Sequence, residues 1–197
     1  MPRLSPEENI PGLGGATVGD FWAWAYSDIL TNIRRGMFAE FLVGSALGVI
    51  DSVPPAGWED FDLLYGDKKI EVKSSAYIQS WDQQGRLSVI SFDIRERGIW
   101  DETINDWLPE RKGRSADCYV FCLYSEKKDR SVASMLDMSK WDFYVVPTRR
   151  IDEALGAQKT VRLSGVESMT NAVKIEHLKE RVDLTVQENQ TKAEGQS

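Results

Sequence analysis

Apolar and polar positions change period along this chain, and each change marks an element. From Thr17, apolar residues recur at Val18, Phe21, Trp22, Ala25, Ile29 and Ile33, the spacing of an amphipathic helix. Asn32-Ile33-Arg34-Arg35-Gly36 reads as a break or cap. A second helix then runs from Met37 to about Leu47, closed by Gly48 and followed by Pro54-Pro55. Period two takes over in the segment Trp58 to Ser75. Phe61, Leu63, Tyr65, Ile70 and Val72 fall on one face, and Asp60, Asp62, Glu71, Lys73 and Ser75 on the other. Gly66-Asp67 suits a two-residue type II′ turn between two strands. In that register Asp62 lies opposite Glu71, and Asp60 opposite Lys73.

Arg86 to Arg95 alternates again and predicts a third strand. Residues 96–115, largely polar and carrying Trp100 and Trp107, read as loop plus short helix. Asp117 to Tyr124 is apolar on both faces, the pattern of a central, doubly covered strand. Trp141 to Pro147 is a further strand, with the proline marking its end or an edge. Ser164-Gly165-Val166-Glu167 has capping-box spacing and predicts a last helix to about Val182. Residues 17–185 therefore read as one domain between an irregular arm (1–16) and a polar, disordered tail (186–197). Helices before and between strands imply an α/β sandwich around a central mixed sheet.

Composition narrows the chemistry. The chain has 197 residues, enough to bury a real core, and a formal net charge of −7, which argues against indiscriminate binding of nucleic acid. Small basic clusters remain at Arg34-Arg35, Arg111-Lys112 with Arg114, Lys127-Lys128 with Arg130, and Arg149-Arg150. No apolar run reaches membrane-spanning length and the N-terminus lacks the apolar core of a signal peptide, so a cytoplasmic protein with no membrane partner is expected. Cys118 and Cys122 share one face of a strand too far apart to bridge, and are expected as free, buried thiols. The single histidine, His177, sits in a charged helical segment. A His-rich zinc site is excluded, and no P-loop is present.

The carboxylates carry the signal. Asp62 and Glu71, opposed on a hairpin, repel unless something cationic lies between them; a divalent metal with a nearby lysine fits best. Glu40 is the only charged residue between Met37 and Ile50, with Gly36 and Gly44 one turn to either side. On the helix alone it is either a rim residue paired with Arg34 or Arg35, or a third ligand, since burying an unpaired carboxylate is costly. The hairpin likewise admits a plain solvated face with an Asp60–Lys73 ion pair.

The order helical Glu40, then Asp62, then Glu71-Val72-Lys73 resembles the PD-(D/E)XK superfamily of restriction-endonuclease-like nucleases. The likeness covers about Met37 to Ile94, with Phe61 where many members carry proline before the first acidic residue. It implies an α-β-β-β-α-β core and a Mg²⁺-dependent nuclease hydrolysing DNA, with Mn²⁺ as a substitute ion. Asp62 and Glu71 would ligate the ion, with the Val72 backbone carbonyl as a further ligand and Glu40 completing the shell directly or through water. Lys73 would orient the attacking water or stabilise developing charge. Ser75 and Gln79 lie just downstream as weaker candidates for substrate contact; Asp60 would hold Lys73, and Asp93 is read as structural. A single-site nuclease cutting both strands implies a homodimer or a partner subunit. The alternative is a catalytically silent module of the same fold that binds nucleic acid or a protein partner. A third reading makes Trp22, Trp24, Trp81, Trp100 and Trp107 a partner surface, although aromatics at such spacing are more often core.

Overall fold

Cys118–Tyr124, with every side chain buried, is a middle strand of the fold (β6). The computed structural model describes residues 3–50, 60–101 and 106–194. β6 pairs in parallel with β2 (Lys68–Ala76) and antiparallel with β7 (Trp141–Pro147), while β1 (Leu63–Tyr65) lies antiparallel on the far side of β2. The result is a mixed four-stranded sheet in the order β1-β2-β6-β7. As expected, β6 is a covered strand and β7, ending at Pro147, is an edge. The segments 51–59 and 102–105, which include Pro54-Pro55 and Trp58, lie outside the described residues.

Apolar layers cover both faces of this sheet. On one, Ile70, Val72, Val120, Cys122, Phe143 and Val145 pack with Leu42, Val43, Leu178 and Val182. These come from α2 (Asn32–Leu47) and α6 (Ile175–Glu194). On the other, Tyr119, Phe121, Tyr144 and Val146 pack with Phe92, Val161 and Ile151. Those three come from β3 (Ser91–Asp93), β8 (Thr160–Arg162) and α4 (Thr148–Leu155). Each fully buried aliphatic or aromatic side chain here contributes about 1.5–3 kcal/mol relative to exposure. Cys118 and Cys122 are free and buried, as their spacing required.

The helices differ from the sequence pattern in their bounds. α1 (Val18–Tyr26) starts at a capping box in which Thr17 and Asp20 exchange side-chain bonds to backbone, then stops. Of its residues only Val18 is buried; Phe21, Trp22, Trp24 and Tyr26 stand exposed, against the expectation that such aromatics join the core. α2 begins at Asn32, not Met37, and runs through Gly36. No atom lies within 4 Å of where a Gly36 side chain would stand, so this glycine faces open space and does not break the helix. Gly48 ends α2 with φ +73°, the left-handed cap that glycine favours.

Other boundaries need correction. Only Ser91–Asp93 of the third predicted strand is regular, and it pairs with β8 in a separate two-stranded sheet. The stretch read as loop plus short helix is a hairpin of β4 (Arg97–Asp101) and β5 (Asp106–Gly113), with Trp100 and Trp107 as register partners. Ser164 does not cap the last helix: it lies inside the short α5 (Leu163–Glu167), and α6 begins only at Ile175. α6 then continues to Glu194, so helix occupies most of the stretch 186–197 read as disordered. The helix α3 (Val132–Met135) precedes β7.

Candidate active site

The hairpin takes the expected register, Leu63 with Ile70, Leu64 with Lys69 and Tyr65 with Lys68. At the turn Gly66 has φ +63°, a conformation that penalises any Cβ. Regular pairing stops one residue short of Asp62. There the Asp62 N–H donates to the Ile70 carbonyl at 3.1 Å, and Asp62 Oδ2 accepts the Val72 N–H at 2.7 Å. The carboxylate thus takes a place on β2 that a strand carbonyl would otherwise fill, which fixes it against the strand carrying Glu71 and Lys73. Because β1 is so short, β2 is open at this level among the described residues.

Lys73 Nζ bridges the two hairpin carboxylates, in an ion pair with Glu71 and 3.5 Å from Asp62 Oδ2. Asp60 is not its partner. That carboxylate pairs with Lys69 Nζ at 3.3 Å instead, correcting the expected Asp60–Lys73 contact. The cause is the loss of regular pairing beyond Leu63, which removes Asp60 from the position opposite Lys73.

Glu40 joins the same group from the other layer. It pairs with neither Arg34 nor Arg35. Burial first, then the Asp62 charge, push its carboxyl up to about 7; Lys73 opposes this, and Glu71 adds to it. The Glu71 carboxyl is also raised, by burial and then by Asp62, against the pull of Lys73 and Arg97. Burial raises the thiol of Cys122, whose side chain faces α2, and the charges of Glu40 and Asp62 add to it. Carboxylates from the α2 side and from the opposite face therefore act on one another where β1 ends. Gly44, one turn after Glu40, packs tightly on the chain that follows α2: a Cβ there would stand 2.9 Å from Ile50 Cγ2, with Leu63 Cδ2 of the hairpin at an ordinary 3.6 Å.

The remaining candidates are placed as follows. Ser75 is buried on the face of Glu71 and Lys73. Gln79 is buried too, with its amide committed elsewhere: Nε2 donates to the Ala76 carbonyl at 2.8 Å, and Oε1 accepts from Arg35 at 3.3 Å. Arg35, itself buried, also donates to the Leu30 carbonyl and to Asn32. Val72 has its N–H taken by Asp62. Asp93 binds Arg95 and borders a shallow, open cleft that Glu71 and Lys73 also line. Of the basic clusters, Arg114 lines this cleft, whereas Lys127 lies over Tyr77, Arg130 clamps the Gln79 and Trp81 carbonyls, and Arg149 pairs with Glu153.

No family model, curated protein or solved structure matches this chain.

The cluster's side chains suit a hard divalent cation in type and charge. Glu40, Asp62 and Glu71 present three carboxylates against the single ammonium of Lys73, and two of the three are raised, by burial first and then by the Asp62 charge. As the side chains stand, no three Asp, Glu, His or Cys among the described residues are drawn close enough to hold an ion. Lys73 occupies the space between Asp62 and Glu71. The fit is one of donor chemistry and of uncompensated charge. Sequence patterning pointed to all four residues; it offered no sign of the cleft's far wall, which comes from the unforeseen β4–β5 hairpin.

Proposed function

We propose that the protein is a Mg²⁺-dependent nuclease of restriction-endonuclease-like type that hydrolyses phosphodiester bonds in DNA. One observation carries the reading: Lys73 lies between the carboxylates of Asp62, just before β1, and Glu71, on β2, and Glu40 of α2 feels the charge of all three. Asp62 and Glu71 would hold the ion, supported by Glu40 and the Val72 carbonyl, with Mn²⁺ as a substitute. Bound there, it supplies positive charge that polarises the phosphodiester and acidifies the attacking water.

The chain's own residues do the rest. Asp62 is anchored by the Val72 N–H, so its second oxygen can point outward without the side chain swinging. Lys73 is held on β2 between two carboxylates, poised to orient the water or to stabilise charge developing on phosphate. The mixed sheet with helices on its α2 face is compatible with this fold type, and among the described residues the short β1 leaves part of the β2 edge unpaired. Selectivity for structure or sequence, or help from a second copy or partner subunit, would offset the acidic net charge.

Incubating plasmid and oligonucleotide DNA with the protein in Mg²⁺ or in EDTA tests the proposal. Cleavage is expected in Mg²⁺ alone and is expected to be lost in Glu71→Ala and Lys73→Ala; undiminished activity in those variants would sink it. A catalytically silent module is the rival, favoured by the closure of Lys73 onto Asp62 and Glu71. It predicts neither cleavage nor calorimetric uptake of Mg²⁺ or Mn²⁺.

A further inference from the structure

We infer that Arg97, at the base of the β4–β5 hairpin, is the group that receives a substrate phosphate in the carboxylate cleft. The inference rests on the phosphodiesterase reading above. A phosphodiester entering this cleft meets the carboxylates of Asp60, Glu71 and Asp93 on its walls. Like charges held close in a partly buried cleft repel, so binding a phosphate there calls for a cation with uncommitted N–H groups.

The other cations of the cleft are already engaged. Arg114 donates from Nε to the Ile94 carbonyl at 2.7 Å, and from Nη2 to the Gly156 and Gln158 carbonyls at 2.8 and 3.1 Å. Its Nη1 is bound to Asp152, and its side chain is fully buried. Arg95 is locked on Asp93, with Nε 2.9 Å from Oδ2 and 3.0 Å from Oδ1. Lys73 lies between Glu71 and Asp62. Arg97 lines the same cleft, is exposed, and has no hydrogen bond or ion pair among the described residues.

Its setting favours a ligand. The register partner of Arg97 is Gly113, also on the cleft wall, so no side chain stands across from it. The ladder shifts between Gly98 and Ile99, directly after Arg97. Such irregularities re-aim neighbouring side chains, often beside functional sites. The charge of Arg97 already reaches Glu71 and Asp93 without closing on either. A guanidinium left this way can bind two phosphate oxygens at once, while Lys73 stays with the carboxylates.

The test pairs cleavage kinetics with binding of a fluorescent duplex oligonucleotide measured by anisotropy in EDTA over a range of salt. Arg97→Ala is expected to raise KM about tenfold with kcat changed less than about threefold, and to lower the slope of log Kd against log salt by about one. Arg97→Lys is expected to recover part of both, and Arg97→Gln replaces the alanine variant if that one melts abnormally. Arg149→Ala removes an equal charge outside the cleft and is expected to leave KM and salt slope at wild-type values. If the wild type cleaves DNA and Arg97→Ala matches it in KM and salt slope, the inference fails alone. If the wild type neither binds nor cleaves DNA, the phosphodiesterase reading fails and takes Arg97 with it.

Discussion

At residue 40 a carboxyl that ordinarily titrates near 4.5 is held up to about 7, chiefly by burial. The folded state therefore keeps its proton to higher pH than the unfolded chain does. Its contribution to stability is full below about pH 4.5 and is lost as pH rises towards about 7. Glu40→Gln, which cannot ionise, should stabilise the metal-free protein by about 1–2 kcal/mol above pH 7, allowing for solvent screening of a part-exposed group, and by close to nothing at pH 4. Urea denaturation in EDTA at pH 4 and pH 8 measures this, and an equal effect at both values would contradict it. Gln79 offers a second residue-scale test, because its amide is bound to Arg35 and to the Ala76 carbonyl. Gln79→Ala is expected to lower stability by about 1–3 kcal/mol by leaving a buried guanidinium under-bonded. A variant that lost substrate affinity with unchanged stability would return Gln79 to the substrate-binding role first read for it.

At the scale of elements, the packing of α2 against the chain that follows it depends on Gly44. Gly44→Ala would place a methyl 2.9 Å from Ile50 Cγ2 and should cost about 1–3 kcal/mol, read as a lowered Tm, despite alanine's better helix propensity. An unchanged or raised Tm would show that α2 can shift without cost. Sequence legibility divides along the same lines. The β1–β2 hairpin, its register and the central β6 could be read because period two and turn chemistry are local signals. Glu40 stood out because a charge inside an apolar helix is rare. What could not be read depends on contacts distant in sequence. β3 pairs with β8 some seventy residues on, as Ser91 with Arg162, and not with the hairpin. The β4–β5 hairpin lacks an alternating apolar face, so its pairing of Trp100 with Trp107 left no periodic trace. Asp60 was assigned to Lys73 by extending a ladder that ends at Leu63.

Over the whole molecule, one mixed sheet separates two apolar layers, and the carboxylate cluster lies where β1 stops short and both faces reach the same stretch of β2. Among the described residues no helix is long and apolar enough to cross a membrane. The exposed aromatics of α1 stand apart from both layers. The central claim is that Glu71 and Lys73 act in one metal-dependent cleavage, the carboxylate holding the ion and the lysine acting in the chemistry. Its most direct measurement is the single-turnover rate of DNA cleavage in Mg²⁺ for wild type, Glu71→Gln and Lys73→Met, each checked for folding. The account predicts a metal-dependent rate for the wild type that falls by at least about a hundredfold in both variants. A rate in either variant equal to that of the wild type would contradict it.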